Sequence, residues 1–169
     1  MKKTVIAIAI CLLAFSGNAM AQKNLKLGHI NSTELMQIIP GRDSAQAVLQ
    51  AEVTELESTL KSMQSELETR YNDYMQNQQG WTELIRQTKQ KELQDMNARI
   101  QEFGENAQKQ LQERETELFK PLIERAKDAI KEVAREGGYS YIFDSGTGAT
   151  LYDEGGDDIM PLVKKKLGI

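Results

Sequence analysis

Only one cysteine occurs in the 169 residues, Cys11, and it lies in an apolar stretch at the start. The rest of the chain therefore has no disulfide to rely on and must hold its fold by packing. Proline is as scarce, and none interrupts the chain between Pro40 and Pro121, which leaves room for helices of unusual length. His29 is the only histidine, and no nucleophile elbow is present, which argues against Cys–His or Ser–His catalysis and predicts no catalytic residue. No glycine-rich loop ends in Lys-Ser or Lys-Thr, and Gly146-x-Gly148 breaks off at Leu151 where a dinucleotide fingerprint needs glycine. No nucleotide or other cofactor is expected. Basic excess is missing too: the net charge is −4, which argues against a nucleic-acid partner. No stretch reaches the roughly 20 apolar residues of a membrane helix.

The first residues read as an address. Lys2 and Lys3 precede an apolar run from Val5 to Phe15 and the small-residue site Ala19-Met20-Ala21. This predicts a signal peptide over residues 1–21, cleaved before Gln22, and hence an exported protein. Bulky Ile10 before Cys11 argues against lipid anchoring. Removing a leader with two lysines and no acid leaves 148 residues and moves the net charge from −4 to −6.

What is abundant is Glu, Gln, Lys, Leu and Ala, the composition of long helices. Leu49, Val53, Leu56, Leu60, Met63 and Leu67 follow one another at spacings of three and four, a heptad seam. Leu93, Met96, Ile100, Phe103, Ala107 and Leu111 form a second seam. If the chain folds back at Gly80, facing residues have numbers summing to 159 or 160, as with Leu49 and Leu111, Leu60 and Ile100, or Leu67 and Leu93. One register satisfies both seams, so residues 43–120 are expected to form an antiparallel coiled-coil hairpin with its tip near 77–82. At about 1.5 Å per residue the arm would be roughly 55 Å long.

The flanks, residues 22–42 and 121–169, read as a small β-sheet body with a short C-terminal helix. Leu25 to Asn31 alternates as a strand, and Pro40-Gly41 opens the helical region. The third helix should run through Ile123, Ala126, Ile130 and Val133 to Gly137-Gly138. A strand is expected over Tyr139 to Asp144, then a turn at Ser145 to Gly148 and a partner strand at Thr150 to Asp153. Asp157 or Asp158 should cap a last helix through Leu162, Val163 and Leu167. The fold class is α+β, mostly α. So few strands bury little core, so Leu25, Leu27, Ile30, Tyr139, Tyr141, Ile142, Phe143 and Leu151 are the candidate surface where subunits meet. His29 is assigned to the strand body.

This plan resembles the Skp/OmpH family of periplasmic chaperones over the whole mature chain. The resemblance is carried by Leu27 to Asn31, Gln101-Glu102-Phe103, Glu117-Leu118 and Pro121 to Ile123. Gly138-Tyr139, Tyr141-Ile142-Phe143 and Asp158 to Val163 complete it. It implies a periplasmic homotrimer shaped like a jellyfish, whose three arms enclose unfolded outer-membrane β-barrel proteins and keep them from aggregating. Relatives tend to be basic whereas this chain is acidic, so no lipopolysaccharide site is carried over, and no feature supports a membrane contact. An alternative reading of the same hairpin is a structural scaffold or adaptor of the cell envelope.

Two sets of arm residues stand out. Tyr71, Tyr74, Met75 and Trp81 cluster at the tip, either to touch clients or only to close the hairpin, with Tyr71 opposite Lys89 as a ring and cation pair. Gly104 and Pro121 are candidate flex points, Pro121 because it leaves the Glu117 carbonyl without its helical donor. The acidic cluster from Asp153 to Asp158 has oxygen ligands but not the spacing of a calcium loop. It reads as a turn and helix cap, and no metal site is expected.

Overall fold

The computed structural model describes residues 25–152 and 155–169. The signal peptide expected over residues 1–21 lies outside the described residues, as do Cys11 and residues 153–154. Element order is β1 (Leu27–Ile30), α1 (Ser32–Ile38), α2 (Arg42–Asn77), a 3-10 turn (Gln78–Gly80), α3 (Glu83–Gly137), β2 (Tyr141–Asp144), β3 (Asp157–Asp158) and α4 (Met160–Leu167). The chain is α+β and mostly α.

The helix boundaries follow from local chemistry. Gly41, at φ 97°, adopts the left-handed conformation that starts α2. Thr82 caps α3, its hydroxyl accepting from the Ile85 amide at 3.4 Å. At the other end Gly138, at φ 67°, turns back to donate to the carbonyls of Ala134 and Arg135. At about 1.5 Å per residue, the 36 residues of α2 and 55 of α3 give lengths of roughly 54 and 82 Å. α3 therefore outruns its partner and carries Ala126, Ala129 and Val133 into the body.

β1 is the middle strand, with β2 on one side and β3 on the other, both parallel to it. Leu27 lies opposite Tyr141 and Ile30 opposite Asp144, while Gly28 faces Asp157. The expected hairpin after β2 is not formed: Thr150 to Tyr152 is not a strand, and the third strand is the two-residue β3. The reason lies in the turn. The Asp144 carboxylate accepts from the Gly146 amide at 2.9 Å, and the Thr150 hydroxyl donates to the Asp144 carbonyl at 3.2 Å. These bonds curl the chain over α1, so closely that a side chain on Gly146 would meet Asn31 Oδ1. Neither Asp157 nor Asp158 is the N-cap of α4: both belong to β3, the N-cap position is Ile159, and Asp158 accepts from the Met160 amide at 2.8 Å.

The core joins one sheet face to three helices: Ile30, Leu35, Ile39, Ala129, Val133, Ile159, Val163 and Leu167 are all buried. Leu35, Ile159 and Val163 have almost no exposed surface. Close packing explains Gly28, where an added Cβ would lie 2.9 Å from Ile142 Cδ1 and 3.1 Å from Ile159 Cγ2.

Candidate functional site

The α2–α3 hairpin is narrow, and its shielding follows the two seams. Met96 and Ile100 are buried; Leu49, Val53, Leu56, Leu60, Met63, Leu67, Leu93, Phe103, Ala107 and Leu111 are half-buried. Most other positions from 43 to 120 are exposed. One ion pair ties the helices together, Arg114 Nε donating to Glu52 Oε1 at 2.7 Å. Gly104 and Pro121 both sit inside the continuous α3, and Gly104 faces open space.

At the tip the four expected residues separate into two pairs. Trp81 packs against Tyr74 with ring centroids 5.9 Å apart, tilted by 59°, so these two close the hairpin. Tyr71 and Met75 remain about half exposed. Lys89 does not sit over Tyr71 as expected; its ammonium pairs with Glu92 at 2.9 Å, where a carboxylate outcompetes a ring face. Leu84, 73% exposed, and Ile85 enlarge the apolar tip and were missed in the sequence because they fall outside both seams.

The two flanks of the hairpin differ chemically. On one, a groove of about 670 Å³ is lined by the apolar side chains of Leu67, Tyr71, Leu93 and Ile100, the carboxamides of Gln90 and Gln94 and one carboxylate, Glu68. On the other, a smaller depression is lined by Met63, Met96 and the charged groups of Arg70, Glu92, Asp95 and Arg99. There Glu66 accepts two bonds from Arg70, the shorter at 2.6 Å, which favours the charged form of the guanidinium still further.

In the body, the sheet face away from the core is open. Leu27, Tyr141 and Phe143 project from it, with Tyr141 60% and Phe143 49% exposed and their rings stacked at 6.3 Å. Leu25, Leu151 and Tyr152 are exposed as well. Of the residues expected on this surface, Ile30 instead points into the protomer's own core, and Ile142 and Tyr139 pack against that core. For Ile30 and Ile142 the reason is the period of two along a strand, which sends neighbours to opposite faces; Tyr139 precedes β2 and is outside that alternation. Tyr139 also ties the sheet edge: its hydroxyl donates to Asp157 at 2.8 Å, and the Lys26 ammonium lies 4.0 Å over its ring and 3.5 Å from Asp157. The Tyr139 hydroxyl and Lys26 hold the Asp157 carboxyl below its ordinary range.

Among the described residues no His, Cys, Asp and Glu group could hold a metal ion. None of the helices described is long and apolar enough to cross a membrane. Such a surface can bind by contact area and hydrogen bonding.

Comparison with known proteins agrees with this architecture. The model of the family described as "Outer membrane protein (OmpH-like)" matches residues 26–167. The chain is similar to a chaperone protein Skp of Photorhabdus luminescens, 30% identical over 171 residues and covering 99% of each chain. It is also similar to a chaperone protein Skp of Vibrio cholerae, 22% identical over 148 residues, 86% of this chain and 88% of that one. A crystal structure of an OmpH-like protein of Caulobacter crescentus shares its fold with a TM-score of 0.73, at 15% identity, over 85% of this chain and 83% of the other. With the family model spanning the body, both arm helices and α4, the chain belongs to the OmpH-like outer membrane protein family.

Proposed function

We propose that this protein is an ATP-independent holdase chaperone of the periplasm, a homotrimer whose arms surround unfolded outer-membrane β-barrel proteins and keep them from aggregating. Residues 43–120 serve as the arm, and residues 22–42 and 121–169 as the body. The observation that carries this reading is the hairpin itself: a lever of roughly 54 Å that buries little beyond Met96 and Ile100 and exposes Tyr71, Met75, Leu84 and Ile85 at its far end. Apolar groups so placed suit weak, unspecific contacts with a chain that has not folded.

Assembly is supported by the body. Parallel sheets occur almost only with both faces covered, yet here Leu27, Tyr141 and Phe143 line an open face. A second and third copy would cover that face, and the Skp names of the relatives agree with a chaperone role. Three arms on one body raise the effective concentration of weak sites without any tight one. Release then rests on the client's own folding or onward binding, consistent with a sequence that carries no phosphate-binding loop.

Native mass spectrometry of the mature protein mixed, without nucleotide, with an outer-membrane barrel diluted from urea tests the reading. The expected species is a trimer carrying one client. A bare oligomer beside precipitated barrel would refute the holdase reading and favour an envelope scaffold.

A further inference from the structure

The second seam has a chemical shadow. The residues directly after Leu93, Met96, Ile100, Phe103, Ala107 and Leu111 are Gln94, Asn97, Gln101, Gly104, Gln108 and Gln112: five carboxamides and a glycine, without one charge. The residues directly before the same seam positions are Glu92, Asp95, Arg99, Glu102, Asn106 and Gln110, four of them charged. Because the seam faces α2, these two rows lie on opposite flanks of the hairpin. The structure places them so, with Gln94 and Asn97 at the larger groove, whose single charged lining residue is Glu68 of α2, and Glu92, Asp95 and Arg99 at the charged depression. All five carboxamides are exposed, and the Gln101 amide donates to Asn97 Oδ1 at 3.5 Å.

The geometry points to the amide row as the surface that takes the client, and to its occupant as one extended, uncharged stretch of an unfolded β-barrel chain. This rests on the holdase reading and gives the arm a sidedness that the reading lacks. A carboxamide both donates and accepts, so a row of them can satisfy backbone amides and carbonyls of any sequence, which a carboxylate or ammonium cannot. Desolvating a charge against an apolar strand is costly, so the opposite flank, lined by Glu66, Arg70, Glu92, Asp95 and Arg99, is a poorer host than the amide flank, where Glu68 is the one charged residue lining the groove. Length agrees as well. The eighteen helical steps from Gln94 to Gln112 span about 27 Å, which an extended chain covers in about eight residues, close to the roughly 9–11 of a membrane β-strand. At the tip-side end of the row, beside Gln94 and Asn97, the groove lined by Leu67, Tyr71 and Leu93 can then receive apolar side chains of that stretch.

Photo-crosslinking on the full-length mature oligomer tests this. A benzophenone amino acid replaces Gln94, Gln101 or Gln108 in one set, and Asp95, Arg99 or Glu102 in the other. Each variant is mixed with an outer-membrane barrel diluted from urea, with oligomeric mass and circular dichroism checked first. The expected result is severalfold higher crosslink yield from the amide row. Equal yields from both rows, with the client still held soluble, would overturn the sidedness and leave the holdase intact. Precipitation of the client with every variant and with the unmodified protein would overturn both.

Discussion

Asp144 is where the body can be tested with one atom. Its carboxylate ends β2 and accepts from the Ser32 amide at 3.1 Å, from the Ser32 hydroxyl, and from the Gly146 amide at 2.9 Å. It thereby ties the start of α1 to the turn after β2. Partial burial alone would push this carboxyl up, but the Ser32 and Gly146 donors outweigh it and hold the group below its ordinary value. Asp144→Asn keeps the shape, loses the charge and one acceptor oxygen, and turns a donor toward donors. Hydrogen bonds to a charged group contribute about 1.5–3 kcal/mol each, and one acceptor oxygen survives, so a loss of about 2 kcal/mol is expected. With a urea slope of about 1–3 kcal/mol per molar, that moves the midpoint down by roughly 1 M. The pH dependence follows from the depressed folded pKa. The stabilisation is fully present above the unfolded value near 3.9 and is lost as pH falls through the lower folded value. The gap between the unsubstituted protein and the variant should therefore be constant from pH 6 to 8 and close below about pH 4. Urea titrations at fixed protein concentration measure it. A gap as wide at pH 3 as at pH 7, or none at pH 7, would refute this account of Asp144.

Ile159→Ala should cost about 2–5 kcal/mol, because the Ile159 side chain is fully buried and packs against Gly28; the same urea titration reads it. Gly104→Ala should raise arm stability by about 1 kcal/mol, since an added Cβ meets nothing within 4 Å, and thermal unfolding followed at the helical band would show it. At the tip, Leu84→Ser with Ile85→Ser should weaken client retention while leaving oligomeric mass unchanged. Trp81→Ser should instead loosen the hairpin end, seen as faster amide exchange at residues 75–85, because Trp81 packs on Tyr74. If the arms flex at Gly104 or Pro121, spin labels at position 80 of each protomer should give a broad distance distribution, and one sharp distance would exclude flexing.

The arm was legible because its determinants are local. A period of three and four needs only neighbours on one helix, and the positions it picks out are the shielded ones of both helices. The stop at Gly138 was legible too, because it acts through residues within a turn of itself; the Thr82 cap is as local and went unread. α1 could have been read the same way, since Asn31 accepts from the Glu34 amide at 3.0 Å, an Asn-x-x-Glu start that the short strand before it obscured.

The body was decided elsewhere. β1 pairs with β2 across 114 positions, Leu27 against Tyr141, and with a third strand of two aspartates that have no strand-like pattern. A glycine-rich turn after β2 suggested a hairpin, but Asp144 and Asn31, brought together only by the fold, claim that turn for α1. The sequence by itself therefore determined the two long helices and the fold-back that pairs them, because those depend on contacts a few residues or one fold-back away. Only the tertiary structure decided the parallel sheet and the tip packing of Trp81 on Tyr74. It also decided which apolar strand residues are spent inward, as Ile30 is, and which stay outward, as Tyr141 and Phe143 do, since a strand's face is chosen by what packs against it.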